Sequence, residues 1–174
     1  MANTFTKIAT VTVGSGGASS IDFNSIPQTY TDLCLKTSLR SPRTANWTDY
    51  PLLSVNSSTA NQSVIWFNGN GAAASSGTDT IFEWICGSTG SGGTQWTANS
   101  FSNDEIYIPN YSSGTNKSMM GRFAVEQSNA TAYLSMHSWL RSSTAAITSL
   151  SITNQYGLNW VQYSTATLYG VKNS

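Results

Sequence analysis

Few residues in this chain could do chemistry. His137 is the only histidine. A hydrolytic triad needs a base beside its nucleophile. His137 instead falls in a strand pattern, on the face it shares with Tyr133, Ser135 and Trp139, which reads as a packed or interface histidine. No Gly-x-Ser-x-Gly turn accompanies it. Carboxylates are the other route, since a glycosidase places two of them about the scissile bond. The candidates are Asp79, Glu83, Asp104 and Glu105. Asp104 and Glu105 are neighbours on a strand and point to opposite faces, and Glu83 is isolated in the sequence. All four read as surface or interface charges, and no enzymatic activity is expected.

Gly69-Asn-Gly71-Ala-Ala-Ala74 has the spacing of a dinucleotide-binding turn and follows a strand. That turn works only where a helix begins and offers its amides to a pyrophosphate. Ser75-Ser-Gly-Thr78 and the strand after it point instead to a loop over residues 69–77. No run of Asp and Asn at calcium-loop spacing occurs, so neither cofactor nor metal is expected. Cys34 and Cys86 are too few for a disulfide framework and lack zinc spacing. Two reduced, packed thiols are the plain reading and a single bridge the alternative, with Cys34 on the more polar face of its strand. What remains is a surface of Trp, Tyr, Asn, Ser and Thr. Sugars stack on aromatic faces with amides and hydroxyls beside them, and protein interfaces use the same aromatics. Trp47, Tyr50 and Trp96, in or beside loops, are the candidate glycan- or partner-binding residues. The alternative is that they fold down onto the body of the protein.

The elements that must hold these residues are strands. Charged residues make up 9% of the 174, far below the roughly 25% of an average domain; hydroxyls and amides take their place. Aromatics reach 11%, with six Trp, which excludes a disordered chain and favours pleated strands. The formal net charge is zero, which argues against nucleic acid as a partner. Arg40 and Arg43, the one local basic pair, read as a solvated loop. No apolar run approaches membrane-spanning length, so no membrane insertion is expected. No signal peptide is expected either, since strand-like sequence begins at Phe5. The Asn-x-Ser/Thr triplets, Asn46-Trp47-Thr48 among them, carry no weight in a chain this rich in those residues.

Period-two alternation marks the strands. Phe5–Val13, Ile21–Phe23, Leu33–Leu39, Leu52–Val55, Val64–Phe67, Ile81–Cys86, Phe101–Ile108, Met119–Gln127, Ala132–Leu140, Ile147–Thr153 and Thr165–Val171 follow one another with turn formers between. The stretch from Glu105 to Ser118 is the clearest strand-turn-strand unit, ended by Pro109, which cannot donate to a ladder. Ile81–Cys86 and the strand from Ala132 to Arg141 carry large side chains on both faces, more than one core easily covers. Residues 87–93 are the most flexible by composition. Thr144–Ile147 is the one candidate for a helical turn. These elements predict one all-β domain over residues 1–174, an antiparallel β-sandwich of jelly-roll type.

Phe5-Thr-Lys-Ile-Ala-Thr-Val-Thr-Val13 with Ser20-Ile-Asp-Phe-Asn-Ser-Ile-Pro27 and Tyr30-Thr-Asp-Leu33 resembles the opening of a family of small β-sandwich proteins of tailed bacteriophages, cyanophages included. Ile106-Tyr-Ile-Pro-Asn-Tyr111 with Thr115-Asn-Lys-Ser118, Ala145-Ala-Ile-Thr-Ser-Leu150 and Val161-Gln-Tyr-Ser-Thr-Ala-Thr-Leu-Tyr-Gly170 resemble its central and closing strands. The resemblance spans nearly the whole chain, and its motifs are structural. It implies a virion surface part, either a capsid decoration protein or a fibre or appendage module, with no catalytic residues to carry over. The many tryptophans and both cysteines depart from the pattern, so no receptor site transfers. The entry into the fold directly after Met1 favours a stand-alone accessory protein over the tip of a long fibre. Other virion proteins are the expected partners, with a host surface glycan as the alternative ligand. Scarce charge, two-faced strands and sheet edges with few lysines predict a homo-oligomer. Its number, a trimer, follows only from the resemblance.

Overall fold

The computed structural model describes residues 4–43, 49–84, 87–88, 99–127 and 131–172. Among these residues, thirteen strands run in the order β1 (Thr4–Thr12), β2 (Ser20–Phe23), β3 (Asp32–Ser38), β4 (Arg40–Ser41), β5 (Pro51–Val55), β6 (Gln62–Gly69), β7 (Ala74–Asp79), β8 (Gly87–Ser88), β9 (Asn103–Ile108), β10 (Lys117–Gln127), β11 (Thr131–Arg141), β12 (Leu150–Asn154) and β13 (Thr165–Lys172). Eight form one antiparallel sheet in the order β1-β13-β3-β9-β10-β11-β6-β7, and β2-β12-β5 form a second. The expected all-β antiparallel sandwich is what the chain forms. The exception is the short pair β4–β8, which is parallel.

The alternation of β3, β9 and β13 gives the reason for the core. Leu33 and Leu35, Ile106 and Ile108, and Ala166 and Leu168 are buried on one face; Leu33 is level with Ile108, and Leu35 with both Ile106 and Leu168. Ile21, Phe23, Leu53, Val55, Leu150 and Ile152 of the small sheet join them in one contiguous cluster. On β10 the inward set is Met119, Gly121 and Phe123; a Cβ on Gly121 would lie 2.3 Å from Phe123 and 2.5 Å from Trp139, so its bare backbone is what lets those rings meet. Pro109 ends β9 as its missing donor requires, and Tyr111 beyond it is fully buried, its hydroxyl donating to the Pro27 carbonyl.

Several expectations are corrected. Residues 69–77 are not all loop. A tight turn at Asn70-Gly71, where Gly71 has φ +83°, reverses the chain into β7, which pairs with β6. Ala, Ser, Gly and Thr hide this strand from a hydrophobic pattern. It is an edge strand held by its ladder, and Gly77 lies so close under the Trp66 ring that a Cβ would come within 2.5 Å of it. Residues 81–84 form no ladder strand. One bridge joins Glu83 to Leu52, with Leu53 N donating to the Phe82 carbonyl at 2.9 Å. Phe82 stacks on Trp139 with ring centroids 4.1 Å apart, and Trp84 on Phe123 at 5.6 Å, so the protein's own core covers them and no neighbouring chain is needed. Ile85 and Cys86 lie outside the described residues. Thr144–Ile147 is not helical. Arg40 is buried rather than solvated and donates to the Ser100 carbonyl at 3.1 Å, while Arg43 lies 3.5 Å over the Tyr156 ring. Cys34 is on the polar face as expected, yet buried and free, level with Tyr107 and Tyr169 on the neighbouring strands. Burial pushes its thiol up to about 11.

Candidate functional site

The inner face of the large sheet changes character along β6. Val64 belongs to the core, Trp66 is half-buried, and Asn68 is polar. Their side chains share one face because they alternate on a strand. There a cavity of about 190 Å³ opens, lined by Tyr50, Val64, Trp66, Asn68, Asp79, Ile81, Glu83 and His137. It is smaller than the roughly 300–1,000 Å³ of drug-sized ligand sites, so it suits a single ring.

Four segments build it. β6 gives the aromatic and the amide. β7 ends at Asp79, whose Oδ1 accepts the backbone amides of Thr80 at 2.6 Å and Ile81 at 3.2 Å and so turns the chain toward Glu83. β11 brings in His137, opposite Trp66 in the ladder. Tyr50 leads into β5. The expectation that Glu83 stands apart is therefore corrected, because Asp79, Glu83 and His137 meet at one cavity although His137 lies far along the sequence from the two carboxylates.

Protons can be assigned along the floor. Ser135 Oγ lies 2.6 Å from Asn68 Oδ1 and 2.6 Å from His137 Nε2. A hydroxyl has one proton. Ser135 gives it to Asn68, so His137 carries hydrogen on Nε2 and donates it to Ser135. Burial holds the imidazole neutral, with a pKa lowered to about 4. Nδ1 is then a lone-pair acceptor. A hydrogen-bonding contact with the Glu83 backbone carbonyl acts to raise the pKa, second to burial, while no bond within proper geometry reaches Nδ1. This contact is not a nucleophile–base pair, since Ser135 is buried and its proton is committed elsewhere. Glu83 Oε2 is likewise buried with no partner. Burial first, and then the charge of Asp79, raise its pKa. The cavity thus offers acceptors and aromatic surface. Among the described residues, no arginine or lysine lines it.

Of the aromatics expected to bind, Tyr50 is in this cavity; Trp47 and Trp96 lie outside the described residues. Trp66, Asn68 and Asp79 were not singled out as binding residues. The signal that could have found them is the passage from Val64 through Trp66 to Asn68 on one strand face, a core stripe running out into polar residues. The other carboxylates are structural. Asp104 Oδ2 accepts from Thr37 at 2.8 Å, Ser102 at 2.6 Å and Trp84 Nε1 at 3.1 Å. Glu105 on the outer face pairs with Lys36 at 3.0 Å and Arg122 at 2.9 Å. Among the described residues, no group of three or more His, Cys, Asp or Glu could hold a metal.

The outer face of the large sheet holds a second candidate surface. Met120 on β10, Leu134, Met136 and Leu140 on β11, and Ile65 and Phe67 on β6 all point outward and are 44–60% exposed. In the ladder, Met136 is opposite both Phe67 and Arg122, and Ser138 is opposite both Ile65 and Met120, so the six form one patch.

No protein-family model, no curated protein and no solved structure matches this chain.

Proposed function

We propose that this chain is a non-enzymatic structural protein of a tailed-phage virion, a surface accessory of the capsid-decoration or short-fibre kind that associates with copies of itself. The observation that carries it is the apolar patch on β10, β11 and β6. Six large side chains at about half exposure present on the order of 600 Å², at the top of the roughly 300–600 Å² usual for a monomer's largest patch and approaching the roughly 800 Å² per partner of a standard interface. A second copy of the same chain is the fitting occupant. The patch lies on a broad sheet face, the formal net charge is zero, and Arg122 beside it is already engaged by Glu105, so no opposite charge is called for. The edge β1 carries Lys7 and a bulge between Lys7 and Ala9, devices that deter edge pairing. The edge β7 has neither.

The phage setting rests on the resemblance of the segments quoted above, and so does the trimer. Light scattering at micromolar concentration is expected to give a mass above one chain, and Met136→Glu to return it to a monomer. A strictly monomeric wild type would remove the association. Absence of the protein from purified particles would remove the virion assignment. Hydrolysis of a host polysaccharide, lost in Glu83→Gln or Asp79→Asn, would overturn the non-enzymatic reading.

A second reading, recognition of a host surface glycan, is favoured by the aromatic, acceptor-lined cavity. It is compatible with the same outer-face assembly, because the cavity opens on the inner side of the sheet.

A further inference from the structure

We infer that the cavity between β6, β7, Glu83 and β11 binds one neutral sugar ring at the end of a glycan, with Trp66 as the stacking surface and Glu83, His137 Nδ1 and Asn68 taking its hydroxyl hydrogens. This rests on the glycan-binding reading and gives it a site and a ligand class.

Three observations carry it. The first is the pair of unpartnered acceptors. His137 is 6% exposed and its Nδ1 meets no donor; Glu83 Oε2 is buried with none either. Buried polar atoms in folded proteins nearly always have a partner, and an unsatisfied acceptor is expensive. Two orphans on one small cavity fit a ligand that supplies donors. The Nε2–H tautomer, fixed through Ser135 and Asn68, keeps Nδ1 an acceptor. The second is the sign of the site. Asp79 and Glu83 line it with no lysine or arginine among the described residues, so a carboxylate, sulfate or phosphate on the ligand would meet repulsion in a partly desolvated space. That excludes sialic and uronic acids and leaves neutral hexoses and N-acetylhexosamines. The third is shape. About 190 Å³ admits one ring, and Trp66 is pinned over Gly77, where even a methyl would collide with it. A fixed indole presents its face without the entropy loss of ordering it.

The full chain would be applied to a glycan array carrying neutral, N-acetylated, sialylated and uronic termini, and retained classes followed by titration with the methyl glycosides of glucose, galactose, mannose and N-acetylglucosamine, reading tryptophan fluorescence and heat. The expected result is retention of neutral or N-acetylated termini only. Trp66→Ala should weaken binding at least tenfold and Glu83→Gln severalfold. Trp66→Phe, which keeps a ring against Gly77 and so guards against a merely misfolded variant, should weaken it less than Trp66→Ala while leaving the circular dichroism spectrum unchanged. Glycan binding that survives both Trp66→Ala and Glu83→Gln would overturn this site while leaving the glycan reading intact. Retention of acidic termini alone would overturn the ligand class. Retention of no glycan would overturn the site and the reading together, and a methylamine or spermidine titration that quenches Trp66 in that case would assign the same acceptors to a cation.

Discussion

Asp104 and Glu83 are two carboxyl groups drawn into the body of one protein under opposite arrangements. Around Asp104, three donors from β3, from the turn before β9 and from the 81–84 segment converge on Oδ2. Around Glu83, Oε2 is buried with nothing to accept from. Burial raises both pKa values, that of Asp104 to about 7. The difference lies in what surrounds them. Asp104, itself buried, ties strands to the aromatic pair Trp84–Phe123, so its removal strands donors. Glu83 borders a cavity with a second orphan, His137 Nδ1, so its missing partner can come from outside. Asp104 Oδ1 has no partner either, but its Oδ2 gathers three donors from its own chain and so acts as a joint; Glu83 Oε2 is left unserved beside a space, a place for something else.

The largest effect should come from removing the joint. Asp104→Ala leaves Trp84 Nε1, Ser102 and Thr37 without their acceptor and is expected to lower unfolding free energy in urea by about 3 kcal/mol, whereas Glu83→Gln should change it by less than about 1 kcal/mol. Equal losses at both positions would erase the contrast.

Next is pH. Asp104 keeps its proton in the folded chain to about pH 7 but loses it near 3.8 when unfolded. Its contribution is therefore complete below about pH 4 and is lost as pH rises to about 7, by at most about 1.4 kcal/mol per pH unit. Glu83 adds a slope of the same sign. His137 runs the other way: folded, it stays neutral down to about pH 4 against 6.5 unfolded, so stability falls as pH drops through that window. Glu105, which burial pushes up but Lys36 and Arg122 together draw below its usual value, adds to this second sign. The opposing slopes flatten the wild-type profile between about pH 4 and 6.5, and Asp104→Asn should expose a stability that rises with pH there. Denaturation midpoints that stay parallel to wild type across that window would show that Asp104 is ionised in the fold.

Smaller effects sharpen the comparison. Thr37→Val removes one of the three donors and should cost about 1 kcal/mol. Glu105→Gln, on a half-buried ion-paired carboxylate at the sheet surface, should cost about 0.5 kcal/mol or less, setting the scale against which the buried pair is judged.

How much of this was legible follows from where the signals lie. The alternation of Leu33, Leu35 and Thr37 and of Ile106 and Ile108 is local, and these strands and the sandwich they build were readable from it. β7 was not, because Ala74, Ser75, Ser76, Gly77 and Thr78 have no apolar face and owe their extended form to the ladder with β6. Arg40 was misread because its burial depends on Phe101 and the Ser100 carbonyl, some sixty positions away. The cavity was legible only in Tyr50. Its remaining members come from β6, β7, the 81–84 segment and β11, and no spacing in the sequence says that His137 falls opposite Trp66.

The place of β13 in the large sheet has a consequence for how the molecule comes into being. β1 finds its ladder partner in β13, and β13 inserts between β1 and β3. β1 therefore leaves the ribosome well before its ladder partner and waits, unpaired, for β13. The edge of β3 stands open for the same interval. Long-range closure of this kind is slow compared with local hairpin formation, and an unpaired edge is exposed to other nascent chains meanwhile. The bulge after Lys7 and the charge of that lysine lie on the strand that waits longest, so the irregularity that bends β1 also guards it during synthesis.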